Sequence, residues 1–236
     1  MLKKIMIGFM AVGALLFGSV QPVLAATGPS YVRYTRSEAI ARYTQFMPSY
    51  LSRDQKIVDQ FRAREDNSAA SKLVERAIWY MEHGYMVYGH QYKGYKDYGI
   101  VDCSNFVSLV YGDLGYNITT TARNYGSVGT RVNGVYSTVV GKSYSGRSLY
   151  GLAGMDNLKV GDILTWWAKD SNGNKYISHT AIYMGIFDGK PAVIGTTSDR
   201  PTAIGIVTDF RYWWGENFDQ ARRVLPAGST GTVKAP

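Results

Sequence analysis

The sequence predicts an α+β domain, and three observations carry that expectation. Apolar residues recur at helical spacing between residues 37 and 84 and again at 102–114. Short apolar runs bounded by turn residues fill 162–208. The runs follow the helices instead of alternating with them, which is the order expected for helices packed on an antiparallel meander. The 236 residues are 45% hydrophobic and 19% charged, so they suffice for a core without disulfides or metals.

Residues 1–25 read as an export signal. Lys3 and Lys4 precede an apolar stretch from Ile5 to Val20, and Val23-Leu24-Ala25 has the small-residue spacing of a cleavage point. The stretch is shorter than the roughly 20 residues a membrane span needs, which predicts removal and no stable membrane insertion afterwards. The mature protein is then secreted or associated with a bacterial cell wall. Cleavage after Ala25 removes two of the 26 basic residues and none of the 18 acidic ones, so the formal charge falls from +8 to +6. A basic exported chain suits an anionic partner such as a wall polymer.

Residues 26–70 are expected to form a helical N-terminal extension. Ser37 caps a first helix with Ile40, Tyr43, Phe46 and Met47 on its apolar face, and Pro48 stops it. Ser52 and Gln55 have capping-box spacing ahead of Ile57, Val58 and Phe61, which predicts a second helix. Residues 71–226 form the main domain. Its first helix starts near Ser71, places Leu73, Val74, Ala77, Ile78 and Met81 on one face, and ends at Gly84 in the left-handed position. The Gly-, Ser-, Thr- and Tyr-rich segment 112–156 lacks periodicity and is expected to be mostly loop, lining one wall of a groove. Strands are expected at 162–167, 177–185, 192–194 and 203–208, and residues 227–236 form a tail.

Cys103 is the only cysteine, in a chain bound for a compartment that favours disulfides, so it has no partner within the chain. The run DCSNFVSLVY puts Phe106, Val107, Val110, Tyr111 and Leu114 on one helical face and Asp102 at the N-cap. Cys103 then lies in the first turn, where unpaired amides and the helix dipole favour a thiolate. Helix-end effects reach about 2 kcal/mol, whereas lowering a thiol from about 8.5 to 6 takes roughly 3.4 kcal/mol, so a second positive group is required. Of the three histidines, His83 sits in a last helical turn and has a structural role there, and His90 lies in a Tyr/Gly-rich loop. His179 lies in ISHTAIYMG, on a strand face shared with Ile177, Ala181 and Tyr183. Alone, such an imidazole reads as a core residue; pairing with Cys103 reverses that reading.

The runs DCSNFVSLVY, LKVGDILTWW, ISHTAIYMG and FDQARRVL, in this order over residues 72–225, resemble the successive motifs of the NlpC/P60 family of cell-wall cysteine peptidases. The resemblance implies a papain-like fold with the cysteine helix packed on an antiparallel sheet. It implies hydrolysis of peptidoglycan stem peptides, commonly between γ-D-glutamyl and a diamino acid. Cys103 matches the nucleophile and His179 the general base. Asp102 and Ser104 match positions that bind the free amino end of a short stem peptide.

The sequence departs from the family pattern in three ways. The third polar residue that orients the histidine falls on Gly195, which leaves Thr197, a backbone carbonyl, water or nothing for that task. A tyrosine before a Gly-Gly pair falls on Met86, with His90 replacing a glycine, and a one-residue shift restores Tyr85. Asn105 stands where glycine usually follows DCS.

The leading expectation is an exported thiol endopeptidase with no cofactor and no metal, since the histidines and cysteine lack ligand spacing. An N-acetylmuramoyl-L-alanine amidase with the same Cys/His pair is the alternative enzyme. An inactive wall-binding protein that keeps the fold is the non-enzyme alternative, motivated by Gly195, the positive charge and 19 tyrosines able to stack on sugars. No basic cluster or motif points to nucleic acid.

Overall fold

The computed structural model describes residues 36–89, 99–197 and 203–228. The segment read as an export signal, His90 and the residues beyond 228 lie outside these. Among the described residues, no helix is long and apolar enough to cross a membrane.

The architecture is mixed α+β, with helices laid on an antiparallel sheet. Helix α1 (Arg36–Arg62) precedes α2 (Ala69–His83), the short parallel pair β1 (Val87–Tyr88) and β2 (Ile100–Val101), and α3 (Cys103–Asp113). A 3₁₀ turn (Ala122–Ser127), β3 (Thr130–Val132) and a hairpin of β4 (Tyr136–Lys142) with β5 (Ser148–Ala153) follow. Then come β6 (Ile163–Lys169), β7 (Lys175–Phe187), β8 (Lys190–Thr196), β9 (Ile204–Val207), the one-turn helix α4 (Trp213–Glu216) and β10 (Phe218–Arg223). Six strands form one antiparallel sheet in the order β3-β10-β6-β7-β8-β9.

The sheet has two apolar faces with separate clusters. One buries Ile163, Ile177, Ile182, Met184 and Ile194 under α2 and α3. The other gathers Leu164, Trp166, Ala181, Tyr183, Val193, Phe210 and Phe218. Alternation along each strand divides them, as pleating requires. Helix α2 forms where the sequence places it: Ser68 accepts the Ser71 N–H at 3.1 Å, and Leu73, Val74, Ala77, Ile78 and Met81 are all buried. Asp113 at the end of α3 joins the two helices through a buried ion pair with Arg76 at 3.3 Å and a 2.8 Å hydrogen bond from the Tyr80 hydroxyl.

Four expectations are corrected. Pro48 does not stop a helix, because α1 runs unbroken through it and no cap forms at Ser52. The proline removes a single backbone hydrogen bond, and the part of α1 beyond it is tied to the core by buried Val58 and Phe61 and by Asp54, which accepts the Ile206 N–H at 3.3 Å. Ile40 is exposed, and the side chains of Tyr43, Phe46 and Met47 lie outside the described residues. Gly84 is right-handed at φ −75°, and it is Tyr85 that takes φ +49°. Glycine is needed at 84 for proximity, since a Cβ there would stand 2.5 Å from the Tyr80 carbonyl oxygen.

The segment 112–156 holds the 3₁₀ turn, β3 and the β4–β5 hairpin where loop was expected. Hairpin pairing sets its structure, and neither the largely exposed β4 nor the half-buried β5 has the one-sided burial that produces an apolar alternation. Lastly, Ile177 does not share a face with His179. A bulge in the β6–β7 ladder pairs Trp166 with His179 but Trp167 with Ile177, so the extra residue Ser178 turns Ile177 to the helix side.

Two of the motif runs meet in the fold. Asp162 of LKVGDILTWW is buried, and Arg223 of FDQARRVL donates to both its oxygens, at 2.8 and 2.6 Å. Gly161 before it has φ +88°, a left-handed conformation open to glycine, and its carbonyl accepts the Tyr111 hydroxyl of the cysteine helix.

Candidate active site

Asp102 caps α3 as its residue type dictates, with extended backbone and a carboxylate that accepts the Asn105 N–H at 2.8 Å. The capped turn sets Cys103 at the helix start, where it meets β7. Its thiol donates to the Ser178 carbonyl at 3.8 Å, and the amides of Thr180 and Ser104 also face the sulfur. Among the described residues, the pairing of β7 with β8 ends at Ala181 and Gly195, short of this stretch. Cys103 therefore lies against the two residues that flank His179. Among the described residues, no hydrogen bond joins the sulfur to the imidazole.

His179 projects onto the aromatic face of the sheet. Trp166 of β6 is 5.7 Å away between ring centres, Trp214 of α4 is 5.1 Å away at 81°, and Trp213 is 6.0 Å away at 73°. Nε2 is buried and has no hydrogen-bond partner. The Trp166 indole N–H donates to the Trp214 carbonyl at 2.5 Å, and the two indoles meet edge to face at 4.8 Å. The hairpin holds α4 in place. Ser137 of β4 donates to the Gly215 carbonyl at 2.6 Å, and a Cβ on Gly215 would stand 2.0 Å from the Phe210 carbonyl oxygen and 2.8 Å from the Tyr150 Cβ.

Ser104 is buried, and its hydroxyl is engaged inside the protein, 2.7 Å from the Thr120 carbonyl and 2.8 Å from Asp102. Its own carbonyl accepts the buried Tyr125 hydroxyl at 2.8 Å. In this structure Asp102 and Ser104 build the helix start. Gly195 lies on the His179 face of the sheet, and a Cβ there would come within 2.8 Å of the Ala181 Cβ. The two strands are too close at that pair for any side chain, which is why the expected orienting residue is missing. Sequence reasoning did not single out Trp166, Trp213 and Trp214 as neighbours of His179. The signal was the paired tryptophans of RYWWGE together with those of LTWW.

Electrostatics keep both groups neutral. Burial, reinforced by the Asp102 carboxylate, pushes the Cys103 thiol up to about 12, and the helix-end contribution of at most about 2 kcal/mol does not offset it. Burial alone pulls the His179 imidazole down to about 4. Iodoacetamide alkylation of the folded protein is therefore expected to stay slow from pH 5 to 8 and to rise only in more alkaline solution; a plateau reached by pH 7 would show a thiolate–imidazolium pair instead. The same shift sets a stability window. The unfolded imidazole takes a proton near pH 6.5 while the folded one resists until about pH 4, so stability is complete above 6.5 and declines as pH falls between these values.

Among the described residues, no three acidic, histidine or cysteine side chains gather as a metal site. No protein-family model matches the chain, and a search of curated proteins returns no significant match.

Proposed function

We propose that the protein is an exported cysteine hydrolase of the NlpC/P60 type, with a papain-like arrangement of helix and sheet, that cleaves peptidoglycan stem peptides. The observation that supports this most is the lodging of Cys103, at a capped helix start, against the backbone on either side of His179. With both groups neutral at rest, His179 acts as a general base. It takes the thiol proton as sulfur attacks the amide carbonyl and returns it to the departing amine; water assisted by the same imidazole then hydrolyses the thioester. The Cys103 backbone amide, at the helix start, is positioned to donate to the oxyanion. Cys103 is 3% exposed, so turnover requires substrate binding to uncover the sulfur.

That burial favours a second reading, a wall-binding protein whose cysteine only packs. Digestion of purified peptidoglycan and of defined stem peptides, with and without a free N-terminal amine, separates the readings by mass spectrometry. Fragments cut within the stem are the expected product. New amino groups on L-alanine would identify the amidase. Cosedimentation with peptidoglycan and no products would replace hydrolysis by binding.

A further inference from the structure

Gly195 leaves the imidazole without the hydrogen-bonding partner that would set its ring, yet the ring is not loose. Trp166 approaches it from β6 and Trp213 and Trp214 from α4, the latter two at 73° and 81° to its plane. Nε2 is buried and has no hydrogen-bond partner. A bare nitrogen lone pair facing the electron-rich faces of indoles is repelled, whereas an N–H in the same place is attracted. A neutral imidazole carries one proton, so a proton held at Nε2 leaves the lone pair on Nδ1.

We propose that the Trp166/Trp213/Trp214 cage replaces the missing polar residue, fixing His179 as the Nε2–H tautomer and presenting Nδ1 as the acceptor for the cysteine proton. The inference rests on the base role given to His179 above, with Trp214 as a positioning residue. The three indoles carry no charge, and Cys103 is the titratable group lodged against the same strand. The cage thus also accounts for an imidazole that resists protonation by burial alone. A rival anchor is Thr197. It continues the β8 face that carries Gly195, and its hydroxyl oxygen is likewise buried without a partner.

Long-range ¹⁵N–¹H correlation spectra of the full mature chain test the cage directly. The wild-type ring is expected to show a protonated Nε2 and a bare Nδ1 at pH 6.5 and to stay neutral until below pH 5. Trp214→Leu is expected to mix the tautomers and move the titration up toward 6.5, and Trp214→Phe to restore both. Thr197→Val should change neither. A protonated Nδ1 in the wild type, an unaltered ring in Trp214→Leu, or loss of the Nε2–H signal in Thr197→Val would each overturn the proposal, the last assigning orientation to the hydroxyl. On stem peptides, Trp214→Leu is expected to lower kcat roughly ten- to a hundredfold with KM little changed, and Trp214→Phe to recover it. The spectra need no turnover. A wild type that hydrolyses nothing would therefore remove the hydrolase reading while the ring signals still decide the cage.

Discussion

Cys103→Ala is expected to abolish release of stem-peptide fragments, by at least about 10³-fold, while leaving the fold intact. The loss is large because sulfur forms the covalent bond in the proposed reaction, and no other cysteine exists to take over. The structural cost is small. Ala removes one buried sulfur atom whose hydrogen bond to the Ser178 carbonyl is long at 3.8 Å, and the Asp102 cap uses no atom of the Cys103 side chain. His179→Phe is the companion variant. A phenyl ring fills the indole cage, so the melting temperature should hold, but it accepts no proton, so fragments should again disappear. Digestion with each purified variant, beside a thermal melt, checks both. Undiminished cleavage by Cys103→Ala would end the thiol mechanism, whatever the state of the ring.

The largest effect on stability is expected at Trp166. Its side chain is fully buried and touches Phe210, Trp214 and Phe218 edge to face at 6.1, 4.8 and 6.2 Å, besides His179 and Trp213. Its indole N–H also caps the Trp214 carbonyl. Trp166→Ala empties the centre of the aromatic cluster and should cost about 3–5 kcal/mol, or roughly 10 °C in melting temperature for a domain of this size. The damage should reach the site, because β6, α4 and the imidazole all meet at this ring. Chemical denaturation with tryptophan fluorescence from the remaining indoles measures it. A cost below about 1 kcal/mol would mean that the cluster is poorly packed and cannot hold His179.

Much of the scaffold was legible in local sequence. The cap at Asp102, the buried face of α2 and four of the five strands following residue 161, all but β10, are determined by nearest neighbours along the chain, through capping chemistry and apolar period. The β4–β5 hairpin was not legible, since β4 is largely exposed, β5 is mostly half-buried, and neither carries an apolar alternation. Continuity of α1 through Pro48 was hidden for a different reason: the contacts that hold its second half, at Asp54, Val58 and Phe61, are made with distant parts of the chain.

The site divides in the same way. The sequence by itself determined that Cys103 begins a capped helix and that His179 lies on a strand, because both follow from residues within a turn or two of each. Only the tertiary structure decided which way the imidazole faces. A bulge at Ser178 turns Ile177 to the helix side while His179 joins the aromatic face, and contact with Ala181 excludes a side chain at 195. It also decided that the thiol stays protonated, since burial depends on what the whole fold lays over the sulfur and outweighs the helix start that the sequence reveals.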